Sequence, residues 1–303
     1  MVDPLAEVIS LLKPRAVYSK VISGAGAWAV RYSEFGQPSF CAMLEGECTL
    51  AVDGQEPITL LAGDFLLMPA TPGFTMSGAA PAAPVFVDAR SAPVPEGEIR
   101  HGNPEGPPDM RMLGGYFGFD SPDAALMVSL LPALLHVRGV GRLPLLVQLV
   151  REESLAQRPG RELVLGRLIE VLLVEALRGA PTEGAPPGLL RALADTRLAA
   201  AVRHMHSDPA HAWTVLELAQ KAALSRSAFF ERFSRAVGLP PMEYLLAWRM
   251  ALAKDLLRRS GVALAEVAER VGYSSASTFS TAFSRHVGQA PGHYARQQSP
   301  ASA

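Results

Sequence analysis

The side chains able to do chemistry in this 303-residue sequence fall into unlike sets. Cys41 and Cys48 are its only thiols, able to form a disulfide or to lie inert in a core. A second set recurs in the last third of the chain. Hydroxyls and cations stand at Ser225, Arg226, Ser227, Arg232 and Arg235, and again at Ser275, Ser277, Ser280, Thr281 and Arg285. Cations hold phosphate oxygens and short hydroxyls reach base edges, so this set suits a nucleic-acid surface. The histidines do not assemble a metal site. In the first half only His101 and His136 are present, both outside the strand-like runs, and a metal needs three or four convergent ligands. His204 and His206, with His211 nearby, lie two apart on a helix and point away from each other, which fits capping or solvated roles. No catalytic residue, metal or cofactor is expected.

The recurring set belongs to an internal duplication. Glu217-Leu218-Ala219 returns as Glu266-Val267-Ala268, an offset of 49. Phe229, Phe233, Gly238, Pro241 and Tyr244 return as Phe279, Phe283, Gly288, Pro291 and Tyr294, an offset of 50, so one residue is inserted near the second turn. Each copy reads as a short helix, a tight turn and a second helix. Ser225 caps the second helix of copy one through its hydroxyl. Phe229, Phe233 and Val237 share one face and pin that helix, leaving Arg226, Ser227, Phe230, Glu231, Ser234 and Arg235 outward. In copy two Phe279, Phe283 and Val287 do the pinning; Ala276, Ser277, Ser280, Thr281, Ser284 and Arg285 face out, and Gly272 supplies the turn. Helix-turn-helix units present such second helices to the major groove, and two of them reach groove segments about one helical turn, roughly 34 Å, apart. Residues 240–259 form the connecting helix, roughly 30 Å long at about 1.5 Å per residue. Glu231 can accept from cytosine N4 or pair with Arg235, and the Thr281 methyl can meet thymine. Lys254, on the connecting helix, joins the arginines as a phosphate anchor.

Composition places the rest. With 49% hydrophobic and 19% charged residues the chain is globular. The net charge of −1 hides an asymmetry: residues 1–195 hold 15 Lys+Arg against 22 Asp+Glu, and residues 196–303 hold 13 against 7. An acidic part joined to a basic part suggests that the second faces a polyanion. No apolar run reaches the roughly 18 residues of a membrane span. The first fifteen residues read as an amphipathic helix rather than a signal peptide, so a soluble cytoplasmic protein is expected.

Short apolar runs at 28–32, 40–44, 48–52, 65–68 and 85–87, divided by Gly and Pro turn signals, predict a small β sandwich or barrel. Residues 91–110 read as an irregular crossing segment. Helices are predicted at 124–138, 143–157 and 161–178. The last carries an unbroken stripe of Leu165, Leu168, Ile169, Leu172, Leu173, Ala176 and Leu177, suited to packing within the chain or to a dimer seam. Residues 179–188, rich in Pro and Gly, read as a linker, and a helix resumes over 189–206.

Trp213 to Gln297 resembles the DNA-binding domain of AraC/XylS-type transcription regulators, above all in Val267-Ala-Glu-Arg-Val-Gly-Tyr-Ser274 and Phe279 to Tyr294. Upstream, Asp3 to Val8, Leu11 to Arg15, Met43 to Cys48 and Gly63 to Pro69 resemble the cupin-type sensor domain of one subgroup. The resemblance implies a multidomain α and β chain. A cupin-like β-barrel would occupy 1–95, a crossing segment and helical dimerisation region 96–180, a linker 181–188 and an all-α double helix-turn-helix domain 189–303. It implies a dimeric activator that binds double-stranded DNA, contacts RNA polymerase and answers a small-molecule effector. In such domains base contacts would come from Ser227, Phe230, Glu231, Ser277, Ser280 and Thr281. Cys41 stands where related sensors often place a histidine, and Phe74 where another ligand would be wanted, so a cupin enzyme is disfavoured. If Glu45-Gly46 formed a two-residue hairpin, Cys41 and Cys48 would be diagonal neighbours about 5–8 Å apart. That leaves open a redox switch beside two inert core thiols.

Overall fold

The computed structural model describes residues 2–91, 97–121, 124, 128, 131–156, 158–180, 187–259 and 262–298. They form two compact units. One comprises 13–120 and 132–183; the other comprises 1–12, 121–131 and 184–303.

The first unit is a two-sheet barrel. Its strands are β1 (Pro14–Ala25), β2 (Ala29–Tyr32), β3 (Ser39–Glu45), β4 (Glu47–Val52), β5 (Ile58–Leu61), β6 (Phe65–Met68), β7 (Phe74–Ser77), β8 (Val85–Val87), β9 (Ile99–Gly102), β10 (Met110–Phe119) and β11 (Leu135–Val137). One sheet runs β11-β6-β3-β10-β1-β9 and the other β5-β4-β7-β2-β8. The interior is a single apolar cluster between them. The back of the larger sheet is buried as well: Phe40 stacks on Phe65 and lies against Phe117. Helices α2 (Arg142–Leu155) and α3 (Arg161–Gly179) pack on each other and on β1.

Several expectations change here. The barrel continues beyond residue 95, because β9, β10 and β11 join the larger sheet. His101 lies in β9 and His136 in β11, inside strands rather than outside them. Ala124 and Val128 are helical, but Leu135–Val137 is a strand paired with β6; the other residues of 122–130 lie outside the described residues. The strands β3 and β4 do not form a hairpin. β3 already has β10 and β6 on its two edges, so β4 pairs with β5 and β7 in the other sheet. Gly46 makes that corner at φ +70, where a Cβ would come 1.9 Å from the Asp109 carbonyl oxygen. The α3 stripe is satisfied within the chain: Leu165, Ile169, Leu172, Leu173, Ala176 and Leu177 are buried and Leu168 half-buried. Most of the expected linker, 181–186, lies outside the described residues.

The second unit is helical: α1 (Pro4–Leu12), then α4 (Leu189–Ala194), α5 (Thr196–Ser207), α6 (Val215–Lys221), α7 (Arg226–Val237), α8 (Pro241–Arg258), α9 (Leu264–Arg270), α10 (Ala276–Val287) and α11 (Pro291–Gln298). The expected helix over 189–206 is broken at Asp195, whose carboxylate caps α5 by accepting from the amides of Arg197 and Leu198. The helix α1 buries Leu5, Val8, Ile9 and Leu12 and packs on α5 and α8.

Candidate functional site

The two repeats fold into the same local structure. In copy one Thr214 and Glu217 form a reciprocal capping box that starts α6. The chain then turns through Ala223, a non-glycine residue at φ +51, and Leu224 N–H donates to the Ala219 carbonyl at 2.9 Å. In copy two Gly272 holds the matching place at φ +80, and Tyr273 N–H donates to Ala268 at 2.9 Å. Ser274 is the extra residue. A Cβ on Gly272 would lie 2.6 Å from the Ala210 carbonyl, so this turn tolerates no side chain. Ser225 and Ser275 then cap the second helices, accepting from the amides of Ala228 and Thr278. Phe229 and Phe233, and Phe279 and Phe283, are fully buried beneath them. Gly238 and Gly288 end both helices in the left-handed conformation.

On the open face of α7, Arg226, Ser227, Phe230, Glu231 and Arg235 are exposed. Glu231 and Arg235 form no ion pair with each other among the described residues, so the carboxylate is open to a partner. Arg232 is not open: its Nε donates to Asp195 at 2.5 Å, the carboxylate that also caps α5. The Ser234 hydroxyl turns inward rather than outward and is buried with no hydrogen-bond partner among the described residues. On α10, Ser277, Thr281 and Arg285 are exposed, and Ala276 and Ser280 half-buried. The Ser280 hydroxyl donates to the Ala276 carbonyl at 2.7 Å and Thr281 to Ser277 at 3.2 Å. Both donors are thereby engaged, leaving oxygen lone pairs and the Thr281 methyl for a ligand. Lys254 is half-buried on α8, the 18-residue connecting helix.

Two groups whose structural role the sequence did not show hold this unit together. Arg249 donates to the carbonyls of Pro209 and His211, both at 2.7 Å, tying α8 to the segment before α6. His206 is buried rather than solvated. Its Nδ1 lies 2.8 Å from Glu7, its Nε2 2.7 Å from the Tyr244 hydroxyl, and its ring stacks on Trp248. A carboxylate only accepts, so Nδ1 carries the proton. Burial pushes the imidazole pKa down despite Glu7, so the ring is neutral and Nε2 accepts from Tyr244. Glu7 and His206 are 199 residues apart, and no local pattern relates them.

In the barrel, Cys41 and Cys48 are buried free thiols. Burial, with a smaller effect from Glu47, pushes Cys48 up to about 12. Burial, then Cys48 and Asp64, push Cys41 up too. Such thiols stay protonated and are poor nucleophiles, which disfavours the redox switch. Outside the barrel core, a groove of about 590 Å³ is lined by Ile58, Thr59, His136, Arg138 and Gly179. Beneath it the buried Asp64 accepts from His136 at 2.8 Å and from Arg138 at 3.1 Å. Burial would raise the Asp64 carboxyl, but the Leu61 amide, His136 and Arg138 outweigh it and hold the pKa low. Among the described residues no three His, Cys, Asp or Glu side chains converge on a metal position.

Residues 3–180 match the cupin family and residues 218–297 the helix-turn-helix domain family. An AraC-like transcription regulator of Streptomyces antibioticus is 38% identical over 98% of this chain and 100% of its own length. Another, from Streptomyces lividans, is 38% identical over 96% of this chain and 97% of its own. The DNA-binding domain of AdpA, a global transcriptional factor solved with a target DNA, is 30% identical over 33% of this chain and 89% of its own, with a TM-score of 0.31. Duplicated helix-turn-helix units behind a cupin barrel, with whole-length identity to named regulators, make this chain a member of the AraC-like transcription regulators.

Proposed function

We propose that the chain is a sequence-specific DNA-binding activator whose barrel senses a signal. The observation that carries this reading is the repeated geometry of α6–α7 and α9–α10, each presenting a capped second helix with an open face. Base contacts come from Ser227, Phe230 and Glu231 on α7 and from Ala276, Ser277, Ser280 and Thr281 on α10. Arg226, Arg235, Lys254 and Arg285 hold phosphates, with the amides at the helix starts near Ser225 and Ser275. Arg232 leaves Asp195 only when phosphate replaces that carboxylate.

The protein acts in the cytoplasm, where it meets DNA and RNA polymerase; no helix among the described residues is long and apolar enough to cross a membrane. It works as a homodimer. Because the α3 stripe is spent within the chain, the seam uses the outward side chains Leu145 and Leu149 of α2 and Leu163, Val164 and Val171 of α3, all exposed. A small-molecule effector is read by the barrel unit, whose outer groove at His136 and Arg138 offers one polar entry. The relatives are transcription regulators, and we assign the chain no catalytic step.

Selection of genomic fragments on the purified protein, then footprinting of the best one, tests this reading. Protection of two segments about one helical turn apart is the expected result. Absence of sequence-specific protection at low salt would overturn it.

A further inference from the structure

The barrel interior is built of sulfur to a degree that packing does not require. Among the described residues its buried cluster has thirteen members, and seven carry sulfur: Cys41, Cys48, Met43, Met68, Met76, Met110 and Met112. The chain has ten methionines and two cysteines in all, so half of the first and all of the second meet here. The core of the second helix-turn-helix unit provides a control within the same molecule: of its ten buried residues among those described, only Met250 carries sulfur.

Strand register and one close contact make neighbours of four of these residues in the interior. Cys41 and Met43 lie two apart on β3 and face the same way. Met112 stands directly opposite Met43 on β10. Cys48 arrives from the other sheet, with its Sγ 3.9 Å from the Met43 Sδ. Two sulfurs bound to one ion at about 2.3 Å, with an angle between tetrahedral and trigonal, are separated by roughly 3.8–4.0 Å. The Cys48–Met43 pair already stands at that separation.

We propose that the barrel interior holds a site for a soft monovalent metal ion, copper(I) or its analogue silver(I), ligated by Cys48, Met43 and Met112, with the Cys41 thiol beside them. The donor set excludes harder ions, since thiolate and thioether select copper(I) whereas magnesium, calcium and manganese require oxygen. The charge balance selects a monovalent ion. Binding replaces the Cys48 thiol proton by the metal and releases that proton to water, so the Cys48 thiolate and a single positive charge leave the apolar interior neutral. A divalent ion would need a second thiolate in that interior or leave an uncompensated charge there. Thioethers add ligation without adding charge, which is what methionine offers over cysteine in such a core. As the signal read by the barrel, the ion rests on the regulator reading; as a binding site it does not.

The test is an anaerobic titration of the full-length reduced protein with copper(I) against a chromophoric copper(I) chelator. Wild type is expected to withdraw one copper(I) per chain, with only sulfur scatterers near 2.3 Å in its X-ray absorption spectrum. Cys48→Ser is expected to weaken binding by roughly 100-fold and Met43→Leu by about 10-fold. Met250→Leu, in the helical unit, is expected to leave binding unchanged. Met→Leu keeps volume and apolarity, so loss in Met43→Leu reports ligation rather than unfolding. A wild type that withdraws no copper, or one whose affinity is the same in Cys48→Ser and Met43→Leu, overturns the site. Footprinting of the metal-free protein decides the regulator reading separately.

Discussion

At the scale of single residues, phosphate anchors and base readers should separate in their response to salt. Arg226 and Arg285 are exposed at opposite ends of their helices, one in the first turn of α7 and one in the last turn of α10. Replacing either by alanine is expected to weaken binding to every sequence alike. It should also lower the slope of log affinity against log salt by about 1, read from fluorescence anisotropy across a salt series. Glu231→Gln, by contrast, is expected to change which base is preferred and to leave that slope alone. His206 carries a pH consequence. Its folded-state pKa lies below the ordinary 6.5 because burial disfavours the charged ring, with Glu7 opposing only in part. The unfolded chain therefore takes up the proton first. Stability is whole above about 6.5 and declines as pH falls through the window between 6.5 and the folded value. Urea unfolding of the full chain from pH 8 to 5 should show that decline. His206→Asn should flatten it in part, since His204 and His101 are also shifted down by burial.

At the scale of elements, the two turns make a controlled comparison. Gly272 meets its left-handed conformation without strain, whereas Ala223 adopts φ +51 with a Cβ in place. Ala223→Gly is expected to stabilise the helical unit by about 0.5–1 kcal/mol, the relieved strain exceeding the extra chain entropy, measured by urea unfolding. Gly272→Ala should do the reverse, and more strongly, because the Ala210 carbonyl blocks the new methyl. These turns, their caps and the aromatic pins were legible in the sequence because they depend on residues fewer than ten apart and occur twice. The barrel was legible only as a kind of fold. Phe65–Met68 and Val85–Val87 announce themselves as apolar runs. The strand Met110–Phe119 does not, because it is buried on both faces and carries Gly114 and Gly115 at its centre. The hairpin expectation failed at Gly46 for a related reason: neighbouring strands at a sheet corner look, in sequence, like neighbouring strands in one sheet. The inward-facing sulfur residues of β3 and β10 were likewise invisible as a group, since register joins Met43 to Met112 across 69 positions.

At the scale of the whole molecule, association and connectivity are the properties to test. The proposed dimer rests on outward side chains of α2 and α3, and a Leu145→Glu, Leu149→Glu double variant is expected to sediment as a monomer while keeping its fold. The placement of α1 has a different consequence. Its apolar side chains Leu5, Val8, Ile9 and Leu12 belong to the helical unit, yet the next residue, Lys13, already opens the barrel unit. In chain order the barrel unit is thus flanked on both sides by segments of the helical unit. A protease that cuts once within 181–186 would sever the backbone without freeing a fragment, because α1 stays docked to α5 and α8. The nicked chain is expected to run as two bands under denaturing conditions and as one species on a native column. A fragment beginning at residue 184 would start life with an apolar groove where its missing first helix should lie, and would be stickier and less stable than the parent for that reason alone.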